Sequence, residues 1–443
     1  MRTGASKDRK RTRGNEMAGP RILIVSHGHP DFSLGGGEIA AHADWMELRR
    51  RGMEAMLVAR TAKSSGHAGS PFFARSQDGH EYLVAAPPVN HFRHSQPDGQ
   101  IVYRHFRELL ERFRPTAVHF HHYVHLGLEF IREVRKYSPD VSITVTLHEF
   151  LAMCHAQGQM LKTSGTLCRK ASPLDCHLCF PQISPQEFFM RELFVKSFFD
   201  LVDHFVCPSR FLLERYVAWG LPAEKMVVIE NGQPQNNSPA PESADHGIER
   251  RFVVLGQLSR LKGTSVLLDA VRLLPELTRR RIKVEIHGST QYADEDFKTQ
   301  LANGLKGLED TVRLHGPYMR EHVAGILRRN GWLVVPSIWW ENSPIVIQEA
   351  FAVGRPVICS NIGGMAEKVA DGVSGFHFLV NNAADLAARI ELCADRPDLW
   401  REMSARIPQP PAIEETVDKL VGLYTNRRRA PREAAPDLLS RSL

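Results

Sequence analysis

Two carboxylates eight positions apart, Glu341 and Glu349, flank the start of a short apolar pattern in Trp339-Trp340-Glu341-Asn342-Ser343-Pro344-Ile345-Val346-Ile347-Gln348-Glu349-Ala350. Leu333 to Val335 read as a buried strand, Ser343 as an N-cap and Pro344 as the first helical residue. Gly354 reads as the stop before another strand, Val357 to Cys359. A helix that starts at a strand end points unpaired backbone N–H groups outward, where they attract phosphate. Glu341, just outside that start, and Glu349, within the helix, could each accept hydrogen bonds from a pair of hydroxyls. Taken singly, Glu341 reads as solvated loop charge and Glu349 as a surface residue. Apolar neighbours such as Ile345, Ile347 and Phe351 make the surface reading of Glu349 costly, because a carboxylate among them needs a partner.

Other segments carry compatible chemistry. Gly35-Gly36-Gly37 lets backbone N–H groups approach a phosphate or sugar closely, although a tight turn gives the same pattern. Gly256-Gln257-Leu258-Ser259-Arg260-Leu261-Lys262-Gly263 places two cations in a strand-to-helix loop, where they could neutralise a departing diphosphate or simply be solvated. His148 follows the strand Thr144 to Leu147, and ligands of an open α/β sheet bind at carboxyl strand ends. That position suits a contact to a transferred group in the transition state. His119 and His121 share a strand face, and His121 is a candidate for an acceptor site. Asp294-Glu295-Asp296 has the spacing of a metal-binding pair but reads as a surface helix start. There is no complete Gly-x-Gly-x-x-Gly, which disfavours a nicotinamide cofactor.

Four of seven cysteines fall in one window, Cys154, Cys168, Cys176 and Cys179, the last two as Cys-x2-Cys. In a reducing compartment this clustering suits a structural zinc with His155 and His177 as substitute ligands, or else free or redox-labile thiols. Cys207, Cys359 and Cys393 read as small apolar residues. Phe188, Phe189, Leu193, Phe194, Phe198, Phe199 and Phe205 form an aromatic-rich helical region. It reads first as core and otherwise as a surface for a lipid-linked acceptor or membrane.

Together, Glu341-x7-Glu349, Gly354-Arg355-Pro356-Val357-Ile358 and Gly363-Gly364 resemble the retaining glycosyltransferases of family 4, from about Arg21 to about Tyr424. The resemblance implies two dinucleotide-type domains facing across a cleft, the GT-B architecture. It implies Glu341 at the donor sugar hydroxyls, helped by backbone amides of Asn342 and Ser343, and Glu349 at the nucleotide ribose. Gly36 and Gly37 would lie by the diphosphate. Lys262 matches the family lysine, whereas Gln257 stands where the family usually has Arg, leaving Arg260 as its substitute. His148-Glu149 resembles the family His-Asp pair with Glu in place of Asp. A subset of the family carries a similar cysteine-bearing insertion after that strand.

The implied activity is transfer of a hexose-type sugar from a nucleotide diphosphate donor to a hydroxyl of a glycan or lipid-linked acceptor, as in polysaccharide or glycoconjugate biosynthesis. Catalysis would need no cofactor and would proceed by front-face displacement, the leaving phosphate oxygen taking the acceptor proton. A nucleotide-sugar epimerase, a phosphorylase on the same plan, and a non-catalytic sugar-nucleotide sensor are the competing readings.

Stepping outward from these residues, strand and helix patterns alternate twice, which argues for two doubly wound parallel sheets in an α/β fold. The first runs over 20–232 with the cysteine insertion at 154–179, the linker over 233–250 and the second domain over 251–395. Helices at 396–425 are expected to return to the first domain. Residues 1–19 and 426–443 read as basic disordered tails carrying +4 and +3 of the formal +6. The body is then near neutral, which excludes a nucleic-acid groove across the fold. No apolar stretch reaches membrane-spanning length, so the expectation is a cytoplasmic protein, with the basic tail leaving room for peripheral contact at the inner membrane face.

Overall fold

Alternating apolar runs and amphipathic stretches build two sheets. The computed structural model describes residues 19–32, 35–62, 70–96, 98–233 and 247–425. The expected basic tails, up to 18 and from 426, and linker residues 234–246 lie outside the described residues.

The first sheet contains β1 (Arg21–Ser26), β2 (Glu54–Arg60), β3 (Phe72–Ala74), β4 (Glu81–Val84), β5 (Ala117–Phe120), β6 (Ser142–Thr146), β7 (His204–Cys207) and β8 (Met226–Val228). Their order is β3-β4-β2-β1-β5-β6-β7-β8, all parallel except the β3 edge. The second contains β9 (Arg251–Leu255), β10 (Lys283–His287), β11 (Val312–Gly316), β12 (Trp332–Val335), β13 (Val357–Ser360) and β14 (Gly375–Phe378), in the wholly parallel order β11-β10-β9-β12-β13-β14.

Central strands are apolar throughout because both faces are covered. On β1, Leu23 and Val25 enter one core while Ile22 and Ile24 enter another on the opposite face. On β9, Phe252 and Val254 face one core and Val253 and Leu255 the other. Parallel strands with crossover helices put all strand carboxyl ends on one edge of each sheet, and there the candidate residues collect.

The chain passes between domains twice, side by side. Gln233 N donates to the Pro411 carbonyl at 2.9 Å, and Ile413 N donates to the Gln233 carbonyl at 3.0 Å. Gly232 is required at this crossing, since a Cβ there would stand 2.5 Å from Ile413 Cα. The expected return of 396–425 divides in two. Helix Pro397–Ser404 stays on the second domain through Met403, and only helix Ile413–Thr425 crosses back. Its buried Val417, Leu420 and Tyr424 pack with Ile22, Ile24, Trp45 and Leu48, each large apolar side chain contributing about 1.5–3 kcal/mol.

Candidate active site

The helix expected after Ser343 begins one residue later than the sequence suggests. It runs Ile345–Ala352 with Pro344 at the N-cap and no side-chain cap, so Ser343 is not the cap. Proline has no N–H and fixes its own φ, which makes it a competent start without a capping side chain. The Ser343 hydroxyl is buried without a partner among the described residues. Ile347 N donates to the Pro344 carbonyl at 3.2 Å, and no described residue accepts from the N–H of Ile345 or Val346. Across the cleft, helix Gly36–Arg50 also begins without a side-chain cap. A Cβ on Gly36 would lie 3.2 Å from Ile345 Cδ1, so the first side chain of one uncapped helix start closes on the glycine start of the other. Gly36 and Gly37 thus belong to the helix itself and not to a turn before it.

Beside these helix ends Lys262 Nζ donates to Glu341 Oε1 at 2.6 Å. Ser337 Oγ and Trp339 Nε1 donate to the same oxygen at 2.8 and 3.0 Å. Three donors hold Glu341 in one orientation, while no described residue bonds its second oxygen. Glu349 is half-buried and has no hydrogen-bond or ion-pair partner among the described residues. Burial raises its carboxyl pKa, partly opposed by Arg320; burial, with a lesser part from the Glu349 charge, pushes the Tyr318 phenol up to about 12. An unpartnered carboxylate in such a place is costly unless a ligand supplies donors.

The acidic loop is fixed from both domains. Asn342 Nδ2 donates to the His148 carbonyl at 3.1 Å, and Ser209 Oγ donates to Asn342 Oδ1. Gly364 N donates to the Glu341 carbonyl at 2.8 Å. A Cβ at Gly364 would sit 1.4 Å from the Asn342 carbonyl oxygen, and Gly363 adopts φ +59°. The glycine pair therefore permits backbone to press on backbone. Glu367 then accepts from Arg210 N and Phe211 N at 2.8 and 2.7 Å, closing a helix start of the first domain with an acid of the second.

His148 packs against the glycine helix, with its Cδ2 3.3 Å from where a Gly37 Cβ would be. Its ring stacks on His121 at 5.7 Å, and burial plus His121 and His27 hold its pKa well below the ordinary value, so it is neutral at pH 7. His121 Nε2 lies 3.3 Å from Asp44. His119 is structural: its nitrogens lie 2.7 Å from Tyr424 Oη and 2.7 Å from Thr146 Oγ1, tying the returning helix to β5 and β6. Tyr123 N and Val124 N both donate to His122 Nδ1 at 3.0 Å, which puts the ring proton on Nε2, 3.0 Å from Glu149 Oε1. Burial lifts the Glu149 carboxyl to about 8.

One expected donor contact, Arg260, is not gathered here. Arg260 turns toward the start of helix Glu295–Leu305, donating to Asp296 at 2.9 Å and Asp294 at 3.4 Å, and Asp294 caps that helix by accepting from Phe297 N at 2.7 Å. The two carboxylates at that helix start hold the guanidinium by charge. Gln257 is exposed at the end of β9. Sequence reasoning passed over Ser337, Trp339 and Gln348. Only the Trp339-Trp340 pair before Glu341 hinted at them. Gln348 Nε2 donates to Glu230 and to the Asn231 carbonyl at 2.8 and 3.0 Å, binding the helix of Glu349 to the interdomain crossing. It also passed over Glu285, His287 and His315, whose ligand atoms lie within 4.8 Å of one another. Arg251 and Asn330 already donate to the two Glu285 oxygens, each at 3.2 Å.

Cys154, Cys168, Cys176 and Cys179 all line one cavity of about 20 Å³, with His155 also on its wall. His177 instead has Nδ1 2.8 Å from the Ile183 carbonyl. A larger cavity of about 700 Å³ is lined by Trp340, Arg169, Asn361, Ile362 and residues 379–383, and neither Lys262 nor the two glutamates is on its wall. Helix Pro185–Phe199 buries Phe188, Phe198 and Phe199 but leaves Phe189, Met190 and Leu193 about half exposed. No helix among the described residues is long and apolar enough to cross a membrane.

Comparison with known proteins agrees with this architecture. The family model "Glycosyltransferase Family 4" matches residues 34–233, and "Glycosyl transferases group 1" matches 241–409. D-inositol 3-phosphate glycosyltransferase of Nocardiopsis dassonvillei is 32% identical over 182 residues, 39% of this chain and 42% of that protein. The Geodermatophilus obscurus protein of that name is 33% identical over 238 residues, 51% and 52%. The chain thus spans about half the length of the curated relatives it matches. Anabaena HepE in complex with UDP-glucose superposes with TM-score 0.62 at 17% identity, covering 91% of this chain and 98% of that one. Sucrose-phosphate synthase from Thermosynechococcus elongatus gives 0.67 at 16% over the same shares. At such identities the likeness establishes the GT-B fold. The two family models between them take in nearly all of both domains, and the chain belongs to the group 1 glycosyltransferases of family 4.

Proposed function

We propose that the protein is a retaining glycosyltransferase that moves a hexose-type sugar from a nucleotide diphosphate donor to a hydroxyl group. The observation that carries this reading is the meeting of two uncapped helix starts, Gly36–Arg50 and Ile345–Ala352, beside Lys262. Helix N-termini and a lysine offer fixed positive potential where a diphosphate would sit, and as the glycosidic bond breaks they stabilise the growing charge on it. Glu341, held by Lys262, Ser337 and Trp339, presents its second oxygen to the donor sugar. Glu349 accepts from the ribose hydroxyls, and neutral His148 reaches the transferred sugar from the other domain. The leaving phosphate oxygen takes the acceptor proton, so the protein supplies position and charge stabilisation.

The acceptor reading is a glycan or lipid-linked alcohol. The half-exposed Phe189, Met190 and Leu193 support the lipid-linked form, since they offer apolar surface beside the insertion. The test is a panel of nucleotide sugars assayed for binding and, with candidate acceptors, for nucleotide diphosphate release. The anomeric configuration of any product is then read by NMR. A product of inverted configuration sinks the retaining mechanism, and an isomerised donor without transfer replaces the reading with an epimerase.

A further inference from the structure

Arg191 is 3% exposed, yet it has no ion-pair partner among the described residues. Its guanidinium donates to carbonyls of Phe92, Leu151 and Ala152 at 2.6, 2.6 and 2.7 Å and lies 3.1 Å from His94 Nε2. Glu149, which feels its charge, is protonated up to about 8 by burial and offers little compensation near neutrality. A buried cation in this condition calls for an anionic neighbour. Two of the carbonyl partners of Arg191, Leu151 and Ala152, directly precede the cysteine insertion that starts at Cys154.

The insertion folds so as to bring four thiols together. A small hairpin, with Lys162 N donating to the Thr166 carbonyl and Cys168 N to the Met160 carbonyl, both at 2.8 Å, returns Cys168 toward Cys154. Cys176 and Cys179 stand one turn apart on helix Pro173–Cys179, whose start is capped by Ser172. The shared cavity of about 20 Å³ has room for about one small ion. The sulfurs stand open, no three of them lying within 4.8 Å of one another among the described residues. A tetrahedral zinc with bonds of about 2.3 Å would draw the hairpin and the short helix inward.

Cys168 also reaches the donor loop. Its carbonyl accepts from Trp340 Nε1 at 3.0 Å, and Trp340 directly precedes Glu341. We propose that Cys154, Cys168, Cys176 and Cys179 bind one zinc ion, and that this ion positions the Trp339–Asn342 loop through the Cys168 carbonyl and Trp340. Four S–H protons leave to solvent and four S–Zn bonds form, with no change of oxidation state. The resulting double negative charge is the counterion that Arg191 lacks. The metal site stands independently of the proposed activity, whereas the positioning role rests on it.

Elemental analysis of the full chain should give about one zinc per molecule, unchanged in His315→Ala and lost in the double variant Cys176→Ser/Cys179→Ser. Should that variant fail to fold, cobalt replacement in the unaltered protein reads the same site through tetrathiolate charge-transfer bands. Metal-free protein with four freely titrating thiols, a disulfide among them, or an iron chromophore overturns the zinc assignment. For the positioning role, Trp340→Phe should keep its zinc while raising donor KM roughly tenfold with kcat little changed. An unaltered KM there refutes the coupling, and absence of turnover with every donor refutes the proposed activity while the metal result still reads.

Discussion

Lys262 Nζ lies 2.6 Å from Glu341 Oε1, so the cation assigned to the leaving group is held by the acid assigned to the sugar. Its side chain is about one-third exposed, so the pair contributes at most about 1 kcal/mol to folding. Lys262→Ala should lower kcat by roughly 10²–10³, as loss of one charge-stabilising donor does, with little change in melting temperature. Arg260→Ala, by contrast, should leave kcat near wild type because Arg260 is engaged with Asp294 and Asp296. Steady-state kinetics on the two variants distinguishes the two cations, and equal losses would return Arg260 to the donor site.

Glu349 lacks a hydrogen-bond or ion-pair partner among the described residues and is half-buried, so its removal breaks no hydrogen bond among them. Glu349→Gln should weaken nucleotide diphosphate binding by roughly tenfold or more, the loss expected for hydrogen bonds to a charged acceptor. Its folding stability should be unchanged or higher. Calorimetric titration beside a denaturant curve checks both, and unaltered affinity removes the ribose assignment.

Gly364 and Gly422 give opposite expectations for the same substitution. Gly364→Ala drives a Cβ into the Asn342 carbonyl at 1.4 Å and should cost about 3 kcal/mol or more, with loss of donor binding. Gly422 lies in helix Ile413–Thr425 with nothing within 4 Å of an added Cβ. Gly422→Ala should therefore gain about 0.5–1 kcal/mol. Urea unfolding of the pair tests whether the glycines at 363 and 364 serve close backbone approach.

The pH dependence of stability carries the signature of Glu149, whose carboxyl is raised by burial from the ordinary 4.5 to about 8. Between those values the unfolded chain has lost this proton and the folded protein has kept it. Its contribution to stability is full below about 4.5 and is lost as pH rises through about 8. Neutral buried histidines such as His119 and His148 have the opposite slope below their ordinary value of 6.5 and cancel when two variants are compared. Glu149→Gln should therefore gain stability relative to the parent from pH 5 to pH 9, measured by denaturant midpoints. A constant difference across that range would show that Glu149 ionises normally.

The features legible in the sequence are the local ones. Strands with both faces covered declare themselves as apolar runs, as at Ile22 to Val25 and Phe252 to Leu255, and the acidic start at Asp294 reads as a helix cap. Side-chain direction and long-range pairing do not declare themselves. Arg260 and Lys262 stand two residues apart in one loop and diverge, because an acidic helix start far along the chain captures one of them. His119 looked like one member of a histidine cluster, yet its partner is Tyr424, 305 residues away. Ser343 had the composition of a cap but lost the place to Pro344, since the loop is fixed by Asn342 and Gly364 instead.

The adjacent crossings at Gln233 and Ile413 act as a single axle between the domains. Gln233 Nε2 donates to Gln348 Oε1 at 3.0 Å, one residue from Glu349, while Glu230 on the same crossing pairs with Lys368. Were the domains to turn about that axle, the helix that carries Glu349 would be pulled with it. Under the proposed function, aperture and grip on the donor would then be geared together, and a spin-label pair on opposite rims should report donor occupancy as a distance.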